Sequence, residues 1–372
     1  MNEKLQLNMI NNIQLNNFRS YKDLQVELSK NINVFIGENG QGKTNLLEAI
    51  YFISNIRSHR TRSDKDLIHV EDDFARIIVN TEKNNKKEKI MCVIHAEGKY
   101  FSINNNVVAK TSDILGRINT ILFYPNETKI FSDTPSSRRT FFDVEIGKTS
   151  KNYTRIFQEF NNLLKDRNRL LKEEKIDKIL LDVITKKMIE SQLFIINERK
   201  FITKFINNKI KNNLKKLSSD EFEIDMTYIS SVKDLNFDEM LSKYNSNIDR
   251  DSFARTTTEG IHRDDYEFKT NGVEISKYLS QGQTRLVLLA IKFVLIDYII
   301  LKTKENPILL LDDVLSELDL NHQKKLIKSI PNYVQTIITT TEYNLVFKNA
   351  DIRKYQIKES KILIKEDFDV KQ

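Results

Sequence analysis

The segment Gly37-Glu38-Asn39-Gly40-Gln41-Gly42-Lys43-Thr44 has the spacing G-x-x-x-x-G-K-T. An apolar run, Ile32 to Ile36, precedes it, and Leu46, Leu47, Ile50 and Tyr51 follow at helical spacing. Strand, glycine loop and helix in that order make a phosphate-binding loop: glycines let backbone N–H groups wrap phosphate oxygens, and the helix N-terminus adds its positive dipole end. In that chemistry Lys43 reaches the β- and γ-phosphates and the Thr44 hydroxyl ligates Mg²⁺, so a nucleoside triphosphate is the expected ligand. The plainer alternative is a Gly-rich turn with a chance Lys-Thr, and the flanking strand and helix weigh against it.

A second constellation lies far downstream. Ile308-Leu309-Leu310-Leu311-Asp312-Asp313 reads as a buried parallel strand ending in two carboxylates, the expected partner of a phosphate loop. Carboxylates at the C-terminal edge of such a strand stand where open α/β sheets bind ligands. Asp312 is expected to hold Mg²⁺ through water, and Asp313 to act as general base or positioner for an attacking water. An acidic turn after a core strand is the alternative. Upstream of it, Leu279-Ser280-Gln281-Gly282-Gln283 opens a strongly apolar helix that Ser280 can cap while the free N–H groups face an anion.

These groups need elements to hold them. Strands are expected at Ile13 to Phe18, Leu24 to Leu28 and Asn31 to Ile36, then at Ala75 to Asn80, Lys89 to Ala96, Tyr100 to Ile103 and Asn106 to Ala109. From about Thr111 the pattern turns helical. Tyr153, Ile156, Phe157, Phe160, Leu163 and Leu164 keep i, i+3, i+4, i+7 spacing, and a second such pattern runs from Ile176 to Leu214. Even unbroken, that second stretch would reach only about 60 Å, a helical lobe rather than a long coiled-coil arm. Strand alternation returns at Phe222, Ile224, Met226 and Tyr228 after a turn at Ser218-Ser219-Asp220. The last third alternates a helix from Gln283 toward Ile300, a strand at Ile308 to Leu311, a helix at Gln323 to Ser329 and a strand at Gln335 to Thr339. The fold expected is α/β, a phosphate-loop sheet plus antiparallel strands with an inserted helical lobe: head residues 1–112, lobe 113–217, head 218–372.

At 372 residues the chain can bury a large core and is expected to form two lobes. The most apolar stretch, Leu286 to Leu301, is broken by Lys292 and Asp297, and Met1-Asn2-Glu3-Lys4-Leu5 lacks the apolar core of a signal peptide. A cytoplasmic, membrane-free protein is expected. The lone Cys92, in the strand-like run Ile90 to Ile94, excludes an internal disulfide and a cysteine-based metal site, and reads as a buried thiol. Net charge is +7. Between Lys151 and Leu217 there are 17 Lys+Arg against 8 Asp+Glu, so this region carries more than the whole excess. Lys165, Arg167, Arg169, Lys172, Lys209, Lys211, Lys215 and Lys216 are the candidates there for DNA-backbone contacts, which would be sequence-independent and salt-sensitive. The alternative for each is a solvated face. Arg60 and Arg62, in a polar basic segment, are candidates for nucleotide or DNA, or else a solvated loop.

In this order the motifs resemble ABC-type ATPases, whose Leu-Ser-Gly-Gly-Gln signature corresponds to Leu279 to Gln283 here; Ser316-Glu317-Leu318-Asp319 falls at that superfamily's D-loop. The likeness narrows with Asn17-Phe18-Arg19-Ser20-Tyr21, Gly37 to Asn45, Arg60-Thr61-Arg62, Phe123-Tyr124-Pro125-Asn126-Glu127, Arg138-Arg139-Thr140-Phe141-Phe142-Asp143, Gly260-Ile261-His262-Arg263-Asp264-Asp265 and Leu311 to Asp319. Together, in order and across nearly the whole chain, these blocks resemble the RecF family of bacterial recombination-mediator ATPases. The resemblance implies an ABC-type head and ATP with Mg²⁺, bound at Gly37-Glu38-Asn39-Gly40-Gln41-Gly42-Lys43-Thr44-Asn45. It implies an ATP-dependent homodimer in which Ser280, Gln281, Gly282 and Gln283 complete the partner's site, and slow, DNA-stimulated hydrolysis through Lys43, Asp312 and Asp313. It further implies DNA binding in repair, replication and the SOS response, and partnership with RecR and RecO in loading RecA on gapped DNA.

Some positions depart from the wider superfamily. Asp313 stands where most ABC ATPases have Glu, which fits hydrolysis used as a slow timer. The switch His is absent: the strand ends in Thr339-Thr340-Thr341, and Thr340 or Thr341 is the candidate to meet the γ-phosphate or its water, a capped strand end being the alternative. No Gln lies between Gln41 and Gln158, so Asn126 or Glu127 takes the metal-sensing Gln position. Ile261 replaces an expected Pro. Arg138 and Arg139 read equally as a phosphate contact or a first-turn pair, and His262 as a structural histidine ahead of a metal ligand. The reading from another class is the nucleotide-binding subunit of an ABC transporter, which shares the loop, signature and Asp pair but has the missing Gln and His.

Overall fold

The computed structural model describes residues 8–218, 222–232, 236–342 and 352–368. The chain divides into two compact units, one of Met1–Glu127, Asn212–Glu221 and Ser280–Gln372, the other of Thr128–Lys211 and Phe222–Leu279. Residues 113–127 thus group with the head, and 222–279 group with the helices rather than with the C-terminal half of the head. The reason is pairing: the three strands between residues 222 and 279 form a sheet of their own, and Asn207 of the long helix bonds to one of them.

The first unit opens with antiparallel β1 (Asn8–Phe18) and β2 (Tyr21–Glu27), and β3 (Ile32–Ile36) leads into the phosphate loop and α1 (Lys43–Asn55). Strands β4 (Phe74–Lys83), β5 (Lys86–His95), β6 (Gly98–Ile103) and β7 (Asn106–Val107) extend the antiparallel sheet in the order β2-β1-β4-β5-β6-β7. Asn84-Asn85 and Asn104-Asn105 both take positive φ, giving two-residue turns whose twist matches that of the strands they join. After Thr111 the structure departs from the helical expectation: Thr120–Phe123 is a buried strand, β8. A four-residue apolar run is too short for its period to separate strand from helix.

The second unit holds α2 (Pro135–Thr149), α3 (Lys151–Leu170) and most of α4 (Lys178–Leu217), an unbroken helix of 40 residues. It also holds β9 (Asp225–Ile229), α5 (Phe237–Ser246), α6 (Ile248–Ala254), β10 (Asp265–Thr270), β11 (Val273–Glu274) and α7 (Ile275–Tyr278), its three strands forming the sheet β11-β10-β9. The helices start at side-chain caps: Thr134 for α2, Ser150 for α3, and Asn236 with Glu239 as a capping box for α5. The expected turn at Ser218-Ser219-Asp220 lies partly outside the described residues.

The chain then returns to the first unit through α8 (Gln281–Thr303), β12 (Ile308–Leu311), α9 (Leu320–Ser329), β13 (Thr336–Thr340) and the hairpin β14 (Ile352–Lys358) and β15 (Lys361–Phe368). The second head sheet has the order β15-β14-β3-β13-β12-β8, parallel except for β15. Eleven of the thirteen residues of α1 are buried. Its core cluster joins Leu46, Ile50 and Phe52 to Ile13, Ile77 and Cys92 of the antiparallel sheet and to Leu310 and Ile337 of the parallel one. The helix behind the phosphate loop is thereby fixed from both sides. Among the described residues no helix is long and apolar enough to cross a membrane.

Candidate functional site

The phosphate loop is shaped by close approach at its two outer glycines. A β-carbon on Gly37 would overlap the carbonyl oxygen of Ile357 in β14. Gly42 caps α1 at a φ of 100°, where a β-carbon would also stand 2.9 Å from Ser360 Oγ and 3.0 Å from the Tyr21 hydroxyl. No side chain caps α1, and no acid lies in its first turn. Its leading N–H groups are therefore able to take an anion.

Around this loop the expected side chains converge. Lys43, only 6% exposed, donates Nζ to the carbonyls of Gly37 and, at 2.8 Å, Glu38. Burial lowers its pKa, and the nearby charges of Asp313 and Asp312 oppose that shift. The Thr44 hydroxyl donates to Asp312 Oδ1 at 3.0 Å, joining residues 268 positions apart. Strand order explains the meeting: β13 alone separates β3 from β12, so the loop and the aspartates share the C-terminal edge of one parallel sheet. Burial raises the Asp312 carboxyl, against the hydroxyls of Thr339 and Thr44 that lower it. Asp313 has a left-handed backbone, φ 48°, and among the described residues its buried Oδ1 has no hydrogen-bond partner.

Sequence reasoning passed over a second layer beside the loop. Glu48, fully buried on α1, receives two bonds from Arg19 at 2.9 and 2.8 Å, one from Ser58 at 2.5 Å and one from Arg60 at 3.0 Å. Burial alone would raise the Glu48 carboxyl, but the Arg19 and Ser58 bonds and the charges of Arg19 and Arg60 hold it below its ordinary value. Arg60 also donates to Asn45 Oδ1 at 2.8 Å, and Asn45 donates to Ser20 at 2.9 Å. Arg60 is thus tied to the loop helix, whereas Arg62 is exposed. The only signal for Glu48 in the sequence is its place four residues after Thr44, a spacing shared by any helical neighbour.

Ser280 caps α8 in a capping box with Gln283, and Ser280, Gln281 and Gly282 are exposed. Five residues on, Arg285 donates to the Glu317 carbonyl at 3.2 Å and pairs with the Glu317 carboxylate, linking the signature helix to the D-loop segment of the same chain. The Ser316 hydroxyl donates to the Asp313 carbonyl at 2.8 Å. Glu127 forms a largely buried ion pair with Lys292 of α8 at 2.7 Å, while Asn126 is exposed. The Thr340 hydroxyl donates to the Glu342 carbonyl at 3.1 Å, so it serves the capped strand end.

In the second unit two motif blocks meet each other instead of a phosphate. Arg138 makes a two-pronged pair with Asp265, both bonds 2.7 Å, and Arg139 donates to the Asp264 carbonyl at 2.5 Å. Arg199, 1% exposed, donates twice to Asp143 at 2.9 Å and reaches Asp264 at 3.2 Å. His262 Nε2 lies 3.0 Å from the Thr257 carbonyl, a structural contact.

Among the basic candidates, Arg167 is corrected. It is 1% exposed and donates to Asp251 and Thr257, both at 2.7 Å, and to Thr185 at 3.1 Å, so it has no surface to offer DNA. Lys165, Arg169, Lys172, Lys211, Lys215 and Lys216 are exposed. Arg169 pairs with Asp166 and Lys211 with Glu223, and Lys209 lies 5.1 Å over the Phe205 ring.

Residues 9–363 match the family described as the RecF/RecN/SMC N-terminal domain. The chain is 39% identical over 363 residues to the DNA replication and repair protein RecF of Clostridium tetani (strain Massachusetts / E88), covering 94% of this chain and 96% of that one. With the RecF of Clostridium perfringens (strain 13 / Type A) it shares 38% identity over 335 residues, 89% of this chain and 92% of the relative. The solved structure of the recombination mediator protein RecF-ATP in the RecFOR pathway matches with a TM-score of 0.88 at 28% identity, over 99% of this chain and 100% of that one. An Smc head domain from Pyrococcus furiosus, with a TM-score of 0.58 at 19% identity over 97% of each chain, shares the fold alone.

Proposed function

The chain belongs to the RecF family, and from that premise we propose that it is an ATP-switched DNA-binding protein of replication and recombinational repair. The observation that carries the proposal is the 3.0 Å bond between Thr44 of the phosphate loop and Asp312, in a chain 39% identical to a DNA replication and repair protein. ATP would lie along residues Gly37 to Asn45. The site's own atoms fit such a ligand: uncapped N–H groups at α1, a buried ammonium at Lys43, and a buried oxygen on Asp313 that has no partner among the described residues.

Thr44 and Asp312 would hold Mg²⁺, which supplies positive charge against the β- and γ-phosphates. Lys43 would bind the same phosphates, and Asp313 would orient a water and accept its proton. Its side chain is one methylene shorter than Glu and so reaches less far, which favours slow turnover. Ser280 to Gln283 of a second copy would close over the nucleotide. Closure needs ATP to bind the dimer better than the open chain, and the contact in trans supplies that difference.

DNA would be held through its backbone by Arg62, Lys165, Arg169, Lys172, Lys209, Lys211, Lys215 and Lys216, with RecR and RecO as partners in loading RecA, in the cytoplasm. Hydrolysis, stimulated by DNA, would release the clamp. The test is fluorescence anisotropy of a gapped duplex with Asp313→Asn protein, with and without Mg-ATP, across a salt series. Binding that needs ATP and weakens steeply with salt is expected. A protein that binds ATP but no DNA in either state would sink the clamp.

A further inference from the structure

Two consecutive threonines, Thr339 and Thr340, end β13, and the structure separates their roles. Thr340 donates to the Glu342 carbonyl, away from the aspartates. Thr339, fully buried, uses its hydroxyl in both directions: it donates to Asp312 Oδ1 at 2.7 Å and accepts the Asp313 backbone N–H at 2.9 Å. A buried hydroxyl needs partners, and here both come from the two consecutive carboxylate residues at the end of the neighbouring strand. The β-branched side chain has few rotamers, so it acts as a stiff strut between β13 and the end of β12.

What the strut holds is unusual backbone. Asp313 is left-handed, a conformation that is costly for most residues with a β-carbon and is tolerated best by Asn and Asp when hydrogen bonds support it. Its N–H is the group that Thr339 ties down. On the other side, Thr339 and Thr44 both donate to Asp312 Oδ1, so the carboxylate is gripped from β13 and from the phosphate loop together.

We propose that Thr339 is a positioning residue of the ATPase site: one hydroxyl fixes the Asp312 carboxylate toward Thr44 and sets the bend that turns Asp313 away from it. The inference rests on the ATPase reading above. Among the described residues the Thr339 hydroxyl bonds to Asp312 and Asp313, whereas Lys43 bonds to the carbonyls of Gly37 and Glu38. Its effect is therefore expected in Mg²⁺ dependence and turnover, not in the Mg²⁺-free grip on nucleotide.

The test compares wild type, Thr339→Val and Thr339→Ser. Binding of a fluorescent ATP analogue is measured in EDTA and in Mg²⁺, together with kcat, KM and melting temperature. Loss of a hydrogen bond to a charged group predicts that Thr339→Val keeps its Mg²⁺-free Kd within about twofold, loses about tenfold of the Mg²⁺ enhancement, and drops kcat by roughly 10- to 100-fold. Its KM for ATP in EDTA-free buffer should move far less than kcat, and Thr339→Ser should restore kcat to within about threefold. A Thr339→Val protein with wild-type Mg²⁺ enhancement and kcat would overturn the inference. So would equal losses with and without Mg²⁺ alongside a lower melting temperature that Ser fails to rescue, since those report packing alone. A wild-type chain without Mg²⁺-dependent binding or turnover would instead overturn the ATPase reading, and this inference with it.

Discussion

The backbone N–H of Glu359 donates to the side-chain oxygen of Gln41, a phosphate-loop residue 318 positions earlier. Beside it the Ser360 N–H donates to the Gln41 carbonyl at 3.2 Å, and the Ser360 hydroxyl meets that of Ser20 at 2.7 Å. Glu359 and Ser360 have φ of 50° and 56°, the two-residue hairpin turn that joins β14 to β15. The β14–β15 hairpin therefore braces the loop Gly37 to Thr44 near the start of the chain. Gln41→Ala removes one acceptor from a half-buried residue, worth about 1 kcal/mol. It should weaken ATP binding by roughly three- to tenfold in a fluorescence titration while the melting temperature falls by only a few degrees.

Gly37→Ala acts on the same brace from inside. The added β-carbon must push back the Ile357 carbonyl, which is backbone and cannot swing aside. Overpacking of this kind costs about 1–3 kcal/mol. Both the melting temperature and ATP affinity should fall, and an unchanged affinity would show that the hairpin's seat on the loop is dispensable.

His59 makes stability depend on acidity. Its ring lies 5.3 Å from Tyr51 and 5.1 Å from Tyr124, and its buried Nδ1 has no hydrogen-bond partner among the described residues. Burial is the main cause that lowers its pKa from 6.5 to about 4. Between those values the unfolded chain binds the extra proton, so the contribution of the neutral ring is complete above pH 6.5 and is lost as pH falls toward 4, up to about 3 kcal/mol. His59→Phe should flatten that part of the curve in urea denaturation at pH 7.5 and pH 5. Parallel losses in both proteins would assign the acid sensitivity elsewhere.

Arg167 and its basic neighbours should separate cleanly. Arg167→Ala leaves Asp251 buried without its partner, which costs about 3–5 kcal/mol of stability. Lys165→Ala and Lys172→Ala, both at exposed positions, should leave stability unchanged. If they contact phosphates, each lowers DNA affinity and reduces the slope of log Kd against log salt by about one. Urea midpoints and anisotropy salt series on the three variants distinguish the roles.

Much of the site is legible without coordinates because its chemistry is local. The loop Gly37 to Thr44 needs glycine freedom, an ammonium and a hydroxyl within one strand–turn–helix, and Asp312-Asp313 needs a continuous apolar strand before it; both patterns lie within a dozen consecutive residues. The helix starts at Ser280 and Ser150 are written the same way, as capping residues beside apolar periodicity. What pairs with what is not local. Strand β8 is four residues long, and only its pairing to β12 makes it a strand. Arg167 and Lys165 look alike as letters, yet helix phase and the partner Asp251 bury one and leave the other in water. Thr339, Thr340 and Thr341 are the same residue type in a row, and the parallel register of β12 against β13 chooses Thr339 to hold the aspartates. The sequence by itself determined which chemical groups the chain carries and the short elements that present them. Tertiary structure decided which of those groups meet, because burial and hydrogen bonding between segments 268 or 318 residues apart are set by sheet order and register, which no local pattern encodes.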